Sequence, residues 1–227
     1  IAHAKGALFF TDAVQAVGAV DIDLSKLNVD MLSLSGHKLH APKGVGMLYV
    51  KKGVLIDNLI DGGGQEKRKR GGTENVPYIV GLAKAIEIAA ARIPELDEVR
   101  RKRDRLIEEL TKVPYSKLNG HPTERLPGNV NVGFEFIEGE SILMWLDMAG
   151  VCASTGSACS SASLDPSHVL LATGVPHEKA HGSIRLSITH ETTDEDVDYI
   201  LEVLPPIIDR LRNMSPLWEE IVNKTRQ

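Results

Sequence analysis

Aromatic residues occupy only 4% of the 227 positions, and cysteine occurs twice, at Cys152 and Cys159. Two thiols at that spacing match no common zinc motif and make a poor disulfide framework, which points to a reducing, cytoplasmic setting. Long apolar runs are also lacking. The stretch Ile142–Met148 is interrupted by Asp147 and is too short to cross a bilayer, so no membrane partner is expected. No excess of one charge sign is present either: the formal net charge is -5, which argues against nucleic acid or an anionic membrane as the main partner. The start of the chain has no signal-peptide pattern. It begins at Ile1, and a strand-like run follows almost at once, so it reads as a chain entered in mid-domain.

What is present is an ordinary globular composition, 42% hydrophobic and 25% charged, long enough for one large domain or two modest ones. Residues 7–11 read as a short buried strand. The alternation in 30–35 and the run 45–51 after the Pro42-Lys43-Gly44 turn predict two more. Residues 61–75, rich in glycine and charge, form a loop, and Pro77 suits the first turn of the helix after it. Ile79, Leu82, Ala83, Ile86, Ala89 and Ala90 share a face of that helix. A second helix is expected from about Pro94 to Lys112, with Arg100–Arg105 on a solvated side. Further on, 129–136 and 183–189 read as strands, 140–148 as a helix, and Asp165-Pro166 as the start of a helix ending at Gly174. Thr192 or Thr193 caps a long last helix, which Pro205-Pro206 should bend. The expected organisation is α/β: part of a large mixed-sheet domain over 1–90, then a small α+β domain over 91–227. There is no internal repeat.

Four places carry residues suited to chemistry. Ser35-Gly36-His37-Lys38 ends a strand, where ligands gather in open α/β sheets, and a lysine fixed there can form a Schiff base. An isolated loop lysine is far more often plain surface. Asp12, with Gln15 three residues on, could keep a pyridine nitrogen protonated, although a helix N-cap is the commoner use of such an aspartate. Residues 154–163 surround Cys159 with small side chains, as an accessible nucleophilic thiol on a moving loop requires; a Ser/Gly linker with an incidental cysteine is equally compatible. Cys152, after Val151 in an apolar run, reads as a core residue. Arg185, between apolar neighbours in an alternating strand, is suited to gripping a carboxylate or pairing with a structural acid. Of the loop residues, Thr73 in its Gly-Gly-Thr setting is better placed for a phosphate than the basic quartet Lys67–Arg70.

The order of these motifs is more specific than any one of them. Thr-Asp-Ala-Val-Gln (11–15), Ser-Gly-His-Lys (35–38), Pro-Lys-Gly-Val-Gly (42–46), Gly-Gly-Gly-Gln-Glu (62–66), Gly-Gly-Thr-Glu-Asn-Val-Pro (71–77), Ser-Thr-Gly-Ser-Ala-Cys-Ser-Ser (154–161) and Ser-Ile-Arg-Leu-Ser (183–187) succeed one another. In this the chain resembles the cysteine desulfurases of the IscS/NifS type, in the class V aminotransferase-like group of fold-type I enzymes dependent on pyridoxal phosphate (PLP). The likeness covers nearly the whole chain, to Met-Ser-Pro-Leu-Trp (214–218).

The resemblance implies roles. Lys38 would hold the cofactor. Asp12 would pair with its ring nitrogen and Gln15 would contact its ring oxygen. Ser35 and His37 would bind its phosphate, and Thr73 would reach the phosphate in the partner subunit of a homodimer. Arg185 would hold the carboxylate of L-cysteine. Cys159 would receive the sulfur as a persulfide, leaving alanine, and pass it to an iron–sulfur scaffold or another sulfur-acceptor protein. The family also has an upstream section supplying a Gly/Thr phosphate turn, a stacking histidine and an asparagine, none of which precedes Ile1, so only part of the cofactor site is expected here. A selenocysteine lyase or other class V enzyme is the alternative activity. The alternative class is a non-catalytic docking module.

Overall fold

The computed structural model describes residues 1–156, 165–216 and 218–219. They divide between two compact units, Ile1–Pro94 and Glu95–Gln227.

The first unit is built on a three-stranded mixed sheet. β1 (Phe10–Asp12) runs parallel to β2 (Met31–Ser35), which pairs antiparallel with β3 (Gly46–Val50). The period-two pattern of β2 buries Leu32 and Leu34. Residues 61–75 contain one irregular turn, α1 (Gln65–Arg68), with Glu66, Lys67 and Arg68 at positive φ. α2 (Val76–Ala91) follows, with Pro77 in its first turn and the Asn75 side chain accepting from the Tyr78 N–H. Its Leu82 and Ala85 pack with Leu34 and Leu39 in the core of this unit. Ile86 and Ala89 of the expected apolar face join them, whereas Ile79, Ala83 and Ala90 are exposed.

β1 departs from expectation. It is shorter than residues 7–11 suggest, and Leu8, Phe9 and Phe10 are exposed, not buried. The strand lies at the sheet's edge and pairs only with β2, so no neighbour covers its apolar side chains in this unit.

The second unit is an antiparallel sheet, β4 (Ser116–Leu118), β5 (Asn129–Phe134) and β6 (Ser183–Ser187), with β5 central. Val130, Val132 and Phe134 on β5, and Ile184 and Leu186 on β6, face a core completed by α3 (Leu96–Leu110), α4 (Gly139–Met148) and α7 (Asp194–Asn213). Two short helices, α5 (His168–Ala172) and α6 (His177–Ala180), precede β6; α5 starts after Asp165-Pro166 and its end is followed by Gly174 at φ 87°. Thr193 is the cap of α7. Its side chain accepts from the Asp196 N–H while Asp196 accepts from the Thr193 N–H, a capping box, and the helix continues through Pro205 and Pro206.

Two further expectations are corrected. Arg103 is not on a solvated face: it is 4% exposed, because its guanidinium donates to the backbone oxygens of Arg125 and Leu126 and to Asp104. Cys152 is exposed, not core. The chain leaves α4 through Gly150 at positive φ and runs extended to a bridge at Ser154, and within that extended run Cys152 points outward while Val151 and Ala153 are half-buried. Among the described residues, no helix is long and apolar enough to cross a membrane, and no cluster of His, Cys, Asp and Glu is arranged to hold a metal ion.

Candidate active site

In the first unit, the parallel pairing of β1 and β2 sets Asp12 opposite Ser33, so that Asp12 and Ser35 both lie at carboxyl ends of neighbouring strands. Asp12 is exposed. One of its oxygens, Oδ1, accepts from the Val14 N–H at 3.0 Å, closing a turn two residues on. No helix starts there; two successive turns follow, and Gln15 is exposed on the first of them. The N-cap alternative for Asp12 is therefore replaced by a local turn that uses Oδ1 and leaves Oδ2 without a hydrogen bond among the described residues.

β2 runs into a 3-10 turn, Gly36–Leu39. Glycine is required at its start: a Cβ at Gly36 would meet the Val45 oxygen and side chain at 2.9 Å, in the place where the Gly36 N–H donates to Val45 O. Leu39 anchors the turn in the core, and His40 closes it in the left-handed region at φ 60°. His37 and Lys38, between the buried Gly36 and Leu39, are thereby held outward. His37 Nδ1 is hydrogen-bonded to Ser35 Oγ at 2.7 Å, which fixes the imidazole over the strand end.

Thr73 is exposed in the loop before α2. The backbones of Gly62 and Gly71 touch there. A Cβ on Gly71 would meet Asp61 O and Gly62 Cα at 2.8 Å, so both glycines are needed for the loop to close beneath Thr73. Gln65 Oε1 in the same loop is buried without a hydrogen-bond partner among the described residues. The basic quartet beside it is exposed.

In the second unit, Arg185 lies at the centre of β6. Its backbone N–H donates to Ser154 O at 2.6 Å and its oxygen accepts from the Ser154 N–H at 3.1 Å. Its Nε is buried and has no partner among the described residues, so the structural acid that was the alternative for this arginine is not found there. Ser154 opens the segment that carries Cys159, and Cys159 itself lies outside the described residues. A groove of about 530 Å³ in this unit, between Phe136, Glu138 and Met214, includes none of these side chains.

Reasoning from sequence missed one feature of the site. Asn119 donates through its side-chain amide to both Asn131 and Ser183 on the sheet face that carries Arg185. The only signal was polar residues at alternate positions on β5, and cross-strand register, which local spacing does not reveal, is what makes them a group.

The chain matches the class-V aminotransferase family over residues 1–200. It is 61% identical, over 96% of its own length and 54% of the relative's, to a cysteine desulfurase IscS of Methanosarcina thermophila. It is 56% identical to a cysteine desulfurase IscS of Clostridium botulinum, over 98% of the chain and 57% of the relative. The fold is similar to the solved structure of a NifS-like protein at a TM-score of 0.81 and 38% identity, covering 91% of this chain and 54% of that one. The chain thus spans about half the length of the relatives it matches.

Proposed function

The chain belongs to the class-V aminotransferase family, and from that premise we propose that it acts, as part of a holoenzyme, as a cysteine desulfurase: L-cysteine is converted to L-alanine and its sulfur passes to Cys159. The observation that carries the reading is the buried Nε of Arg185, which has no partner among the described residues, in a chain 61% identical to a cysteine desulfurase. Such a donor calls for an acceptor, and a guanidinium matches a carboxylate in fork geometry.

Enzymes of this family use pyridoxal phosphate. The donor set fits that group: an uncommitted carboxylate oxygen at Asp12 for a protonated ring nitrogen, an amide at Gln15, a hydroxyl and an imidazole held together at Ser35 and His37 for phosphate, and an outward amine at Lys38. When bound, the cofactor supplies an electron sink for the pair left when the substrate's Cα loses its proton. Lys38 would hold the cofactor and, once released, move the proton at Cα. Arg185 would orient the substrate by its carboxylate. The Cys159 thiolate would then attack the substrate sulfur: an S–S bond forms, the Cβ–S bond breaks with its electron pair going to Cβ, and protonation of Cβ, with return of a proton to Cα by Lys38, gives alanine. The persulfide left on Cys159 would be handed to a sulfur-acceptor protein such as an iron–sulfur scaffold.

A homodimer belongs to the same proposal, with Thr73 reaching the cofactor phosphate of the partner. Leu55, Leu59, Val76 and Val80 are exposed apolar side chains of the first unit that a second copy would cover. The division into part of a large cofactor-binding domain over residues 1–90 and a small C-terminal domain over 91–227 that carries the cysteine loop is likewise part of this reading. The test is turnover of an amino-acid panel by the holoenzyme. Alanine formed from L-cysteine, with little turnover of serine or aspartate, is expected. Equal turnover of amino acids lacking sulfur and selenium would overturn the assignment.

A further inference from the structure

Arg185 belongs to a polar row that crosses the second sheet. The N–H groups of Ile188 and Phe134 donate to Gly128 O and Gly182 O. Given the register of β5 with β6, these bonds make Asn131 and Arg185 a non-hydrogen-bonded pair, whose side chains project from the same face at the closest cross-strand separation. On its other side Asn131 pairs with Asn119. The Asn119 N–H donates to Asn131 O at 2.9 Å, and Asn119 Nδ2 donates to Asn131 Oδ1 at 2.7 Å. The same Nδ2 donates to Ser183 Oγ at 3.0 Å. Asn119 is only 6% exposed, so these partners fix its amide.

Asn131 has a single side-chain acceptor atom. Rotated toward β6, that oxygen would be available to the buried Arg185 Nε. It is bonded to Asn119 instead, while the Nε finds no partner among the described residues. We infer that Asn119 is a positioning residue for Arg185: by engaging Asn131 Oδ1 it keeps that cross-strand acceptor away and leaves the Nε edge of the guanidinium open to an incoming carboxylate. The inference rests on the reading of Arg185 as the substrate-carboxylate grip.

The holoenzyme tests it through a set of substitutions read in two ways: kcat and KM for L-cysteine, and, independently of turnover, the Kd for L-alanine by isothermal titration calorimetry. In Asn119→Ala the Asn131 amide is free to rotate and accept from Arg185. KM and Kd should rise about tenfold with kcat little changed. Asn131→Ala lacks that acceptor and should stay within about twofold of the parent. The double variant Asn119→Ala/Asn131→Ala should return to parental affinity, since the acceptor released by the first change is gone. A purely structural role for Asn119 would leave the double variant at least as impaired as the single one, and that result overturns the inference, as does an unchanged Kd in Asn119→Ala. Arg185→Ala separates the two levels. If it weakens L-alanine binding while the double variant is not rescued, only the positioning role fails. If it leaves binding unchanged, the carboxylate grip fails and the positioning role falls with it.

Discussion

Ser35 Oγ and His37 Nδ1 are hydrogen-bonded at 2.7 Å across the first step of a 3-10 turn whose glycine cannot be replaced without collision. The bond occupies one imidazole nitrogen, and the other belongs to an exposed side chain at the strand end, which suits a phosphate. Ser35→Ala should weaken cofactor retention about tenfold, as expected for one lost hydrogen bond to a charged group. The check is cofactor content by absorbance after dialysis; retention equal to the parent would remove Ser35 from the phosphate site.

Arg185→Lys keeps the charge and loses the fork. A point-charge ammonium cannot reproduce two parallel N–H bonds to one carboxylate, so KM for L-cysteine should rise about tenfold or more while the protein stays folded. Steady-state kinetics with a melting curve on the same sample distinguish this from unfolding.

Thr193→Ala removes the acceptor that the Asp196 N–H uses at the start of α7. The cost should be about 1 kcal/mol, and the melting temperature should fall by about 2–4 °C. Thr193→Ser, which keeps the oxygen, should lose much less.

Asp30 yields a pH prediction. The Phe9 N–H, then His3, hold its carboxyl below the ordinary aspartate value of 3.8, against an opposing effect of burial. A pKa depressed in the folded state stabilises above the unfolded value and stops doing so as pH falls toward the folded one. The stability advantage of the parent over Asp30→Asn should therefore be full near neutral pH and shrink only below about pH 4. Urea midpoints across that range measure it.

Much of the fold was legible locally. The alternation of β2, the turn before β3, Pro77 in the first turn of α2 and the threonine cap of α7 depend on neighbours in sequence, and all appear as the pattern implies. The exceptions depend on distant neighbours. Phe9 and Phe10 are apolar but stand at a sheet edge, Arg103 is charged but buried by carbonyls about twenty positions away, and Cys152 follows an apolar residue but lies on the outward step of an extended run. The placement of His37 and Lys38 just past a strand end was legible because a short motif sets it. The role of Asn119 was not, because it exists only once three strands are in register.

The most direct test of the account is the mass of Cys159 after the holoenzyme meets L-cysteine. A gain of one sulfur atom on that residue, absent in Cys159→Ala together with alanine release, is the expected result. Alanine released at the parental rate by Cys159→Ala, or sulfur gained on Cys152 instead, would contradict it.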